Sequence, residues 1–348
     1  MKRSRNLNLD IIRSIALIYV ICVHFFLNTN FYSYSPIYGI AMETSIILRN
    51  CFTACVPLFI MLSGYLMNQK KFSIKYYAGI SKVFILYGLS CITIWIYQTV
   101  EYQTVFTLGT LFRSFVSYEG YAWYIGFYFG LYALIPFFNL MYHGLDSKLQ
   151  KSILLLVLLI FTALPTLTNK FGVNLIPQNW ESLYPLTYYF MGAYLYEYAN
   201  DIKLSPKLLF VLYILVVISG GMFVNRFVRG HMYYSIDLFS NWNSVLNFSS
   251  TFLLFLTILK CDFSKMPKLI ARFFEILSKV SLQMYLVSYI FDQKVYQVFN
   301  ATYPVYEDRF VRFPLPIIQV FIGSFIVALI IQFIYDRIRK FTHKTTKA

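Results

Sequence analysis

The chain has 348 residues, of which 58% are hydrophobic, 20% aromatic and only 13% charged. Because about a quarter of the residues in an ordinary soluble domain are charged, this composition excludes a soluble globular protein. In a soluble chain the net charge of +15 would be typical of nucleic-acid binding. Here the distribution of the charges along the sequence shows whether they indicate nucleic-acid binding or membrane topology.

Apolar segments, most of them long enough to cross about 30 Å of hydrocarbon, alternate with short clusters of charged residues. The ten segments lie at 9–28, 44–67, 79–99, 121–141, 151–168, 183–199, 207–224, 243–260, 277–299 and 314–335. The first follows a basic N-terminus, as a signal peptide does, but its apolar run is too long and no cleavage site follows it, so we expect it to be retained. We predict an all-α, polytopic membrane helical bundle of about ten transmembrane helices, with one domain over residues 1–348.

Lys and Arg residues are distributed unequally between the two sides of this bundle. The side that holds the N-terminus has 21 of them and the other side has 8, while Arg13 lies inside the first segment. The positive-inside rule therefore predicts cytoplasmic termini in a multi-pass cell-membrane protein. Contacts with anionic membrane lipids account for most of the excess charge, so we expect no nucleic-acid partner. The abundant Lys, Asn, Ile and Phe are typical of an AT-rich bacterial genome, which indicates a bacterial cytoplasmic membrane.

The first segment, NLDIIRSIALIYVICVHFF, contains a pair of ionisable residues with an informative spacing. Arg13 and His24 are eleven positions apart, which places them only about 20° apart around a helix and about 16 Å apart along it. This arrangement suits coenzyme A: Arg13 would hold a phosphate, and His24 would meet the thioester as a general base or as a transient acyl carrier. Alternatively, Arg13 pairs with Asp10 and His24 bonds to another helix.

Further motifs accompany this pair along the chain. The second segment contains VPLFIMLSGYLM and is followed by the basic stretch KKFSIKYYAGISK; the fourth, sixth and ninth contain YAWYIGFYFGLYALIPFF, YYFMGAYLYE and SLQMYLVSYIF. Together with the Arg, ten residues, His pattern of the first segment, they cover nearly the whole chain. In this combination the sequence resembles the acyltransferase 3 family of integral-membrane acyltransferases.

The resemblance implies a catalytic role for His24, with Arg13 as its basic partner and as a ligand of acetyl-CoA. The other donor-binding residues that it implies are Ser63, Gly64, Tyr65, Lys71 and Lys75. The basic stretch of the family is richer in Arg, so anchoring in the inner leaflet is the alternative role for the lysines. Relatives often place a histidine where this chain has Ser288, so a mechanism that needs a second histidine there is in doubt.

Residues that would bind an acceptor lie mainly at the predicted outer ends of the segments. Carbohydrates pack on aromatic faces, and carboxylates accept their hydroxyl protons. Glu43, near Arg49, would orient an imidazolium or bind a sugar hydroxyl. The predicted acceptor-binding residues are Glu43, Glu119, Trp123, Tyr124 and Tyr285. The alternative for Glu43 is a surface charge. The alternative for Glu119, Trp123 and Tyr124 is a place in the aromatic belt of the membrane interface, and that for Tyr285 is ordinary helix packing.

We therefore expect a membrane O-acyltransferase that moves an acyl group, expected to be acetyl, from acetyl-CoA to a hydroxyl of a cell-surface polysaccharide or its lipid-linked precursor. The five cysteines and four histidines show no metal-ligand spacing, so no metal is expected, and nothing indicates an oligomer. The alternative is a transporter or flippase for a lipid-linked sugar, with broken helices in corresponding halves. A glycan polymerase would favour longer outer loops than the roughly 20 residues found here.

Overall fold

A computed structural model describes residues 5–33, 37–103, 105, 107–117, 119–169, 172–234 and 241–345. These residues form fourteen α-helices and no β-strand. The helices are α1 (Leu7–Asn28), α2 (Ile40–Phe52), α3 (Cys55–Met67), α4 (Ile74–Ala78), α5 (Ser81–Glu101), α6 (Leu108–Ser117), α7 (Glu119–His143), α8 (Lys148–Thr168), α9 (Tyr184–Tyr198), α10 (Pro206–Val228), α11 (Val245–Lys260), α12 (Lys268–Thr302), α13 (Tyr306–Val311) and α14 (Pro314–Thr345).

Each of the ten predicted segments contains a helix, so the prediction of an all-α polytopic bundle is confirmed. Within the described ranges, seven helical segments are long and apolar enough to cross a membrane: Leu7–Ser33, Ile40–Met67, Ile74–Glu101, Tyr121–His143, Lys148–Thr168, Pro206–Val228 and Pro314–Phe341. The other three predicted spans correspond to α9, α11 and α12, which have 15, 16 and 35 residues. The cytoplasmic position of the termini stays a prediction.

The second predicted span is broken into two helices. α2 ends at Phe52 and α3 begins at Cys55, which leaves Thr53 and Ala54 at the junction. Pro57 explains the break, because its ring would clash with the carbonyl group of Thr53 in a continuous helix and it has no N–H to donate. The junction therefore places a short irregular segment within the span.

Helix α1 lies inside the bundle. It packs against α2, α3, α11, α12 and α14, and most of its residues are buried. A helix that is covered on nearly all sides occupies the interior of a helical protein. The helix that carries Arg13 and His24 is therefore surrounded by protein rather than by lipid.

Helices α3 and α9 cross at two glycines. A Cβ atom built on Gly64 would overlap the carbonyl oxygen of Tyr189, and one built on Gly192 would overlap the carbonyl oxygen of Met61. Small residues at such positions let two helix backbones come into direct contact. Gly64 therefore serves the packing of α3 on α9, which is a different position from the donor path that the family resemblance implies.

This crossing predicts a stability defect. Gly64→Ala is expected to destabilise the protein by about 1–3 kcal/mol, because the added methyl group must separate two backbones. The measurement is the thermal unfolding midpoint of the purified protein in detergent. Gly126→Ala is the matched control, since a Cβ there meets nothing within 4 Å. Equal midpoints for the two variants would contradict the packing role.

Candidate active site

A cavity of about 640 Å³ lies inside the bundle, with walls from α1, α2, α3, α5, α7 and α12. Arg13 and His24 both line it, as residues on one face of α1 can. Mainly apolar side chains line the space around these two residues, among them Val20, Val23, Val56, Phe59, Leu62 and Leu66. The cavity can therefore accept a long, thin ligand that has polar contacts at separate places.

The imidazole of His24 is held by a carboxylate of α12. His24 Nδ1 lies 2.9 Å from Asp292 Oδ2, and the side chains of the two residues are 11% and 1% exposed. The second carboxylate oxygen, Asp292 Oδ1, is buried and has no hydrogen-bond partner among the described residues. Because a carboxylate oxygen accepts, the proton of a neutral imidazole lies on Nδ1, and Nε2 is left as the proton acceptor.

Tyr121 completes this network from the start of α7. Its hydroxyl donates to Asp292 Oδ2, and its oxygen lies 2.8 Å from His24 Nδ1 and 3.0 Å from Ser288 Oγ. Tyr285 donates to the backbone carbonyl of Tyr121 at 2.9 Å, and Ser288 donates to the backbone carbonyl of Tyr285 at the same distance. Three helices thus fix the orientation of the imidazole.

Asp292 was not among the candidates from the sequence, although a signal for it was present. It is an ionisable residue inside the predicted ninth span, and such residues are costly in a membrane unless they are paired. It also lies four positions after Ser288, on the same face of α12. The sequence does not reveal its pairing with His24, because the two residues are 268 positions apart.

Arg13 is half-buried, and its Nη1 donates to Ser278 Oγ at 3.1 Å. The alternative pairing of Arg13 with Asp10 is not found, because Arg5 takes that carboxylate with Nε at 2.6 Å and Nη2 at 3.0 Å. The hydrogen bond to Asp10 raises the pKa of the Arg5 guanidinium, so that this pair stays charged.

The charge at this end of the cavity is positive. None of the ion pairs within the described residues includes Arg13. Lys82 of α5 interacts electrostatically with Arg13, Lys279 and Asp336, and Lys279 pairs with Asp336 at 2.9 Å, so that carboxylate offsets part of the charge of the two lysines. Of these cations only Arg13 lines the cavity, and its guanidinium can attract a phosphate group.

Four of the other predicted site residues also line the cavity: Ser63, Trp123, Tyr124 and Tyr285. Trp123 stacks on Trp242 with 4.9 Å between ring centroids and 25° between planes, and Trp242 lines the cavity as well. No local sequence pattern distinguishes Trp242, because its position depends on how the segment before α11 packs against α7.

The remaining predicted site residues do not line the cavity. Tyr65 packs on Tyr196 and Phe255. Glu43 lies 3.4 Å from Arg229, the residue after α10, and it is Asp292 and not Glu43 that contacts His24. Those without a position in the lining are Glu43, Gly64, Tyr65, Lys71 and Lys75, of which the two lysines are exposed. The side chain of Glu119 lies outside the described part of the structure.

A model of one protein family, described as an acyltransferase domain, matches residues 6–334. The chain belongs to the acyltransferase 3 family. No curated protein and no solved structure matches it. The family and the apolar helices together make the protein a multi-pass membrane acyltransferase.

Ser288, the residue at which the family resemblance implies a histidine in many relatives, lies on α12 of this acyltransferase. Ser288 lies beside Tyr121 and not within hydrogen-bond distance of His24. No described group of three or more His, Cys, Asp or Glu side chains is arranged to hold a metal ion. The chemical groups at the cavity are therefore an imidazole, which contacts a carboxylate and a phenol, and two guanidinium groups, those of Arg13 and Arg49.

Proposed function

We propose that this acyltransferase moves an acetyl group from acetyl-CoA to a hydroxyl of a cell-surface polysaccharide or its lipid-linked precursor, in the bacterial cytoplasmic membrane. One observation carries the proposal: the His24–Asp292 pair and the guanidinium of Arg13 share a single cavity inside the bundle. An acyl transfer from a coenzyme A thioester needs a general base and an anion site at separate points, and His24 and Arg13 would supply them.

Arg13 would bind a phosphate group of the donor at the cytoplasmic end of the cavity. The roughly 16 Å of helix between Arg13 and His24 leaves room for an extended pantetheine arm. The apolar residues around this stretch exclude water, which protects a thioester from hydrolysis. Donor and base are thus brought together without a large movement of the bundle.

Proton transfer would then proceed through His24. Nε2 accepts the proton of the acceptor hydroxyl as its oxygen attacks the thioester carbonyl carbon. The tetrahedral intermediate collapses, the C–S bond breaks, and the thiolate takes the proton back from the imidazolium. The products are an ester and free coenzyme A. Asp292 stabilises the imidazolium during this cycle and holds Nδ1–H in place.

The acceptor would enter at the end of the cavity opposite Arg13, where Tyr32 follows the C-terminus of α1. Here the stacked pair Trp123 and Trp242 forms an aromatic wall beside Tyr124. Aromatic faces bind the C–H surface of sugar rings. This wall supports a glycan acceptor over a small amine or a lipid hydroxyl.

The donor site makes a prediction of its own. Arg13→Gln is expected to raise KM for acetyl-CoA by roughly 10–100-fold with little change in kcat, because a charge-assisted contact to phosphate is lost. Steady-state kinetics with varied acetyl-CoA measures both constants. Lys265→Gln, which removes an exposed cation from a predicted cytoplasmic loop, is the control. An unchanged KM in Arg13→Gln would remove Arg13 from the donor site.

The overall proposal is tested with purified protein in liposomes, radiolabelled acetyl-CoA and glycan acceptors. Transfer of label to the glycan in an alkali-labile ester is the expected result. A transporter would instead move a lipid-linked sugar across the bilayer without labelling it. Translocation without any ester formation would overturn the proposal in favour of that alternative.

A further inference from the structure

We propose that Tyr124 and Tyr128 bind the pantetheine arm of the acyl donor, and that the phenol hydroxyl of each donates a hydrogen bond to one of the two amide carbonyls of that arm. The inference rests on the proposed function and deepens it, because it adds residues that recognise the arm to the one that would bind the phosphate. It concerns the donor channel, which we define as the part of the cavity between Arg13 and His24.

Helix α7 follows the cavity in the direction opposite to α1. Near its start, the hydroxyl oxygen of Tyr121 lies 2.8 Å from His24 Nδ1. Seven residues later, about 10 Å along the helix, Tyr128 interacts electrostatically with Arg13. Tyr124 lies between these two tyrosines in the chain and also interacts with Arg13. The three phenols therefore follow the path from His24 to Arg13 that an extended thioester arm would take.

The hydroxyls of Tyr124 and Tyr128 are available to a ligand. Both residues line the cavity and are half-buried. Neither hydroxyl makes a hydrogen bond with a described residue, and both are accessible from the cavity. A phenol hydroxyl surrounded by apolar side chains is costly unless it has a partner, so such a group binds water or a polar atom of a ligand.

The spacing of the two phenols matches the spacing of the two amides. Tyr124 and Tyr128 are four positions apart on one face of α7, with 6.4 Å between their ring centroids. The carbonyl carbons of the two pantetheine amides are four bonds apart, which is roughly 5 Å in an extended arm. Tyr124, the nearer to Tyr121 in the chain, would donate to the amide next to the thioester. Tyr128 would donate to the amide next to the pantoate group.

Helix packing is the competing explanation for these tyrosines. The ring of Tyr124 does pack, since its centroid lies 6.3 Å from that of Tyr285 in an edge-on contact. Tyr132, four positions after Tyr128, is an example of a structural phenol: it does not line the cavity, and its hydroxyl donates to the carbonyl of Tyr76 at 2.6 Å. Ring packing needs no hydroxyl, so replacement by phenylalanine removes only the group on which the inference depends.

The experiment measures binding of coenzyme A to the full-length protein in nanodiscs by isothermal titration calorimetry. It needs no acetyl transfer. The probes are coenzyme A and two synthetic analogues, in each of which one of the two amides is replaced by a CH₂–CH₂ unit. Both analogues keep the phosphates and the thiol. The wild-type protein is expected to bind each analogue about 3–10-fold more weakly than coenzyme A, because one hydrogen bond is lost.

Variants show which hydroxyl contacts which amide. Tyr128→Phe is expected to weaken binding of coenzyme A by roughly 3–10-fold, and binding of the analogue that lacks the amide next to pantoate by less than about twofold. Tyr124→Phe should show the same pattern with the analogue that lacks the amide next to the thiol. Tyr132→Phe is the matched control. It is expected to lower the thermal midpoint and to leave the affinities for all three probes unchanged.

Two results would overturn the inference: unchanged affinity for coenzyme A in Tyr124→Phe and Tyr128→Phe, or equal weakening of coenzyme A and both analogues in these variants. Acetyl transfer by the wild-type protein together with either result would overturn this inference and leave the proposed function intact. Conversely, binding of coenzyme A that depends on the two phenols, without acetyl transfer to any glycan, would overturn the proposed function alone.

Discussion

Replacement of His24 by glutamine is expected to lower kcat for acetyl transfer by roughly 10²–10⁴-fold, because the side chain that accepts the hydroxyl proton is removed. Glutamine keeps a polar side chain next to Asp292 and Tyr121, so the protein should fold and still bind acetyl-CoA through Arg13. The measurement is the initial rate of ester formation at saturating acetyl-CoA and acceptor. KM for acetyl-CoA is expected to stay within about threefold of its wild-type value.

The control for this variant is His231→Gln, since His231 is exposed in the loop after α10 and does not line the cavity. It should retain full activity. A second measurement separates a base from an acyl carrier. If His24 acts only as a base, no radiolabel stays on the protein after incubation with labelled acetyl-CoA alone. Full activity of His24→Gln would contradict the proposed mechanism. Labelling of the protein that depends on His24 would indicate that His24 carries the acyl group as an acyl-imidazole and does not act only as a base.

Helical periodicity was enough to predict that the two residues of the proposed mechanism share one face of a helix. Arg13 and His24 belong to one helix, so their common face follows from a spacing of eleven residues, and the cavity contains both. The residues that the sequence did not place belong to other helices. The contacts of His24 with Asp292 and Tyr121 depend on how α1 meets α12 and α7, which no local pattern encodes.

The adjacent residues Ser63, Gly64 and Tyr65 also show that a local sequence pattern does not predict contacts between helices. The resemblance grouped Ser63, Gly64 and Tyr65 because they are adjacent, but consecutive helical residues point about 100° apart. Ser63 therefore lines the cavity, whereas Gly64 faces α9 and Tyr65 packs on Tyr196. Only the packing partners decide which member of such a motif contacts a ligand.

The fold was more accessible to sequence reasoning than the site. Each of the ten segments predicted from hydropathy contains a helix, because exposing an unpaired backbone group or a charge to lipid costs free energy in every span. Hydropathy does not locate breaks such as the one between α2 and α3, although Pro57 marks it. The break matters for the site, because it ends α2 just after Arg49 and places Thr53 on the cavity wall.

Asp292→Asn is expected to lower kcat by an amount on the order of 10²–10⁴-fold while leaving KM for acetyl-CoA nearly unchanged. Asp292 is a positioning residue, because it contacts His24 and does not line the cavity. An amide at this position can donate to Nδ1, which moves the imidazole proton to Nε2 and blocks that nitrogen as a base. Asparagine has the shape of aspartate, so the bundle should keep its thermal midpoint.

Two further variants test whether the carboxylate itself is responsible. Tyr121→Phe removes the phenol but keeps the contact between Asp292 and His24, so its loss of kcat is expected to be no more than about tenfold. Asp292→Glu restores a carboxylate and should recover part of the activity that asparagine loses. A kcat within about threefold of wild type in Asp292→Asn would reduce Asp292 to a packing role. If Tyr121→Phe lowered kcat as much as Asp292→Asn does, the carboxylate alone would not be enough to orient His24. That result would assign the orientation of His24 to the phenol of Tyr121.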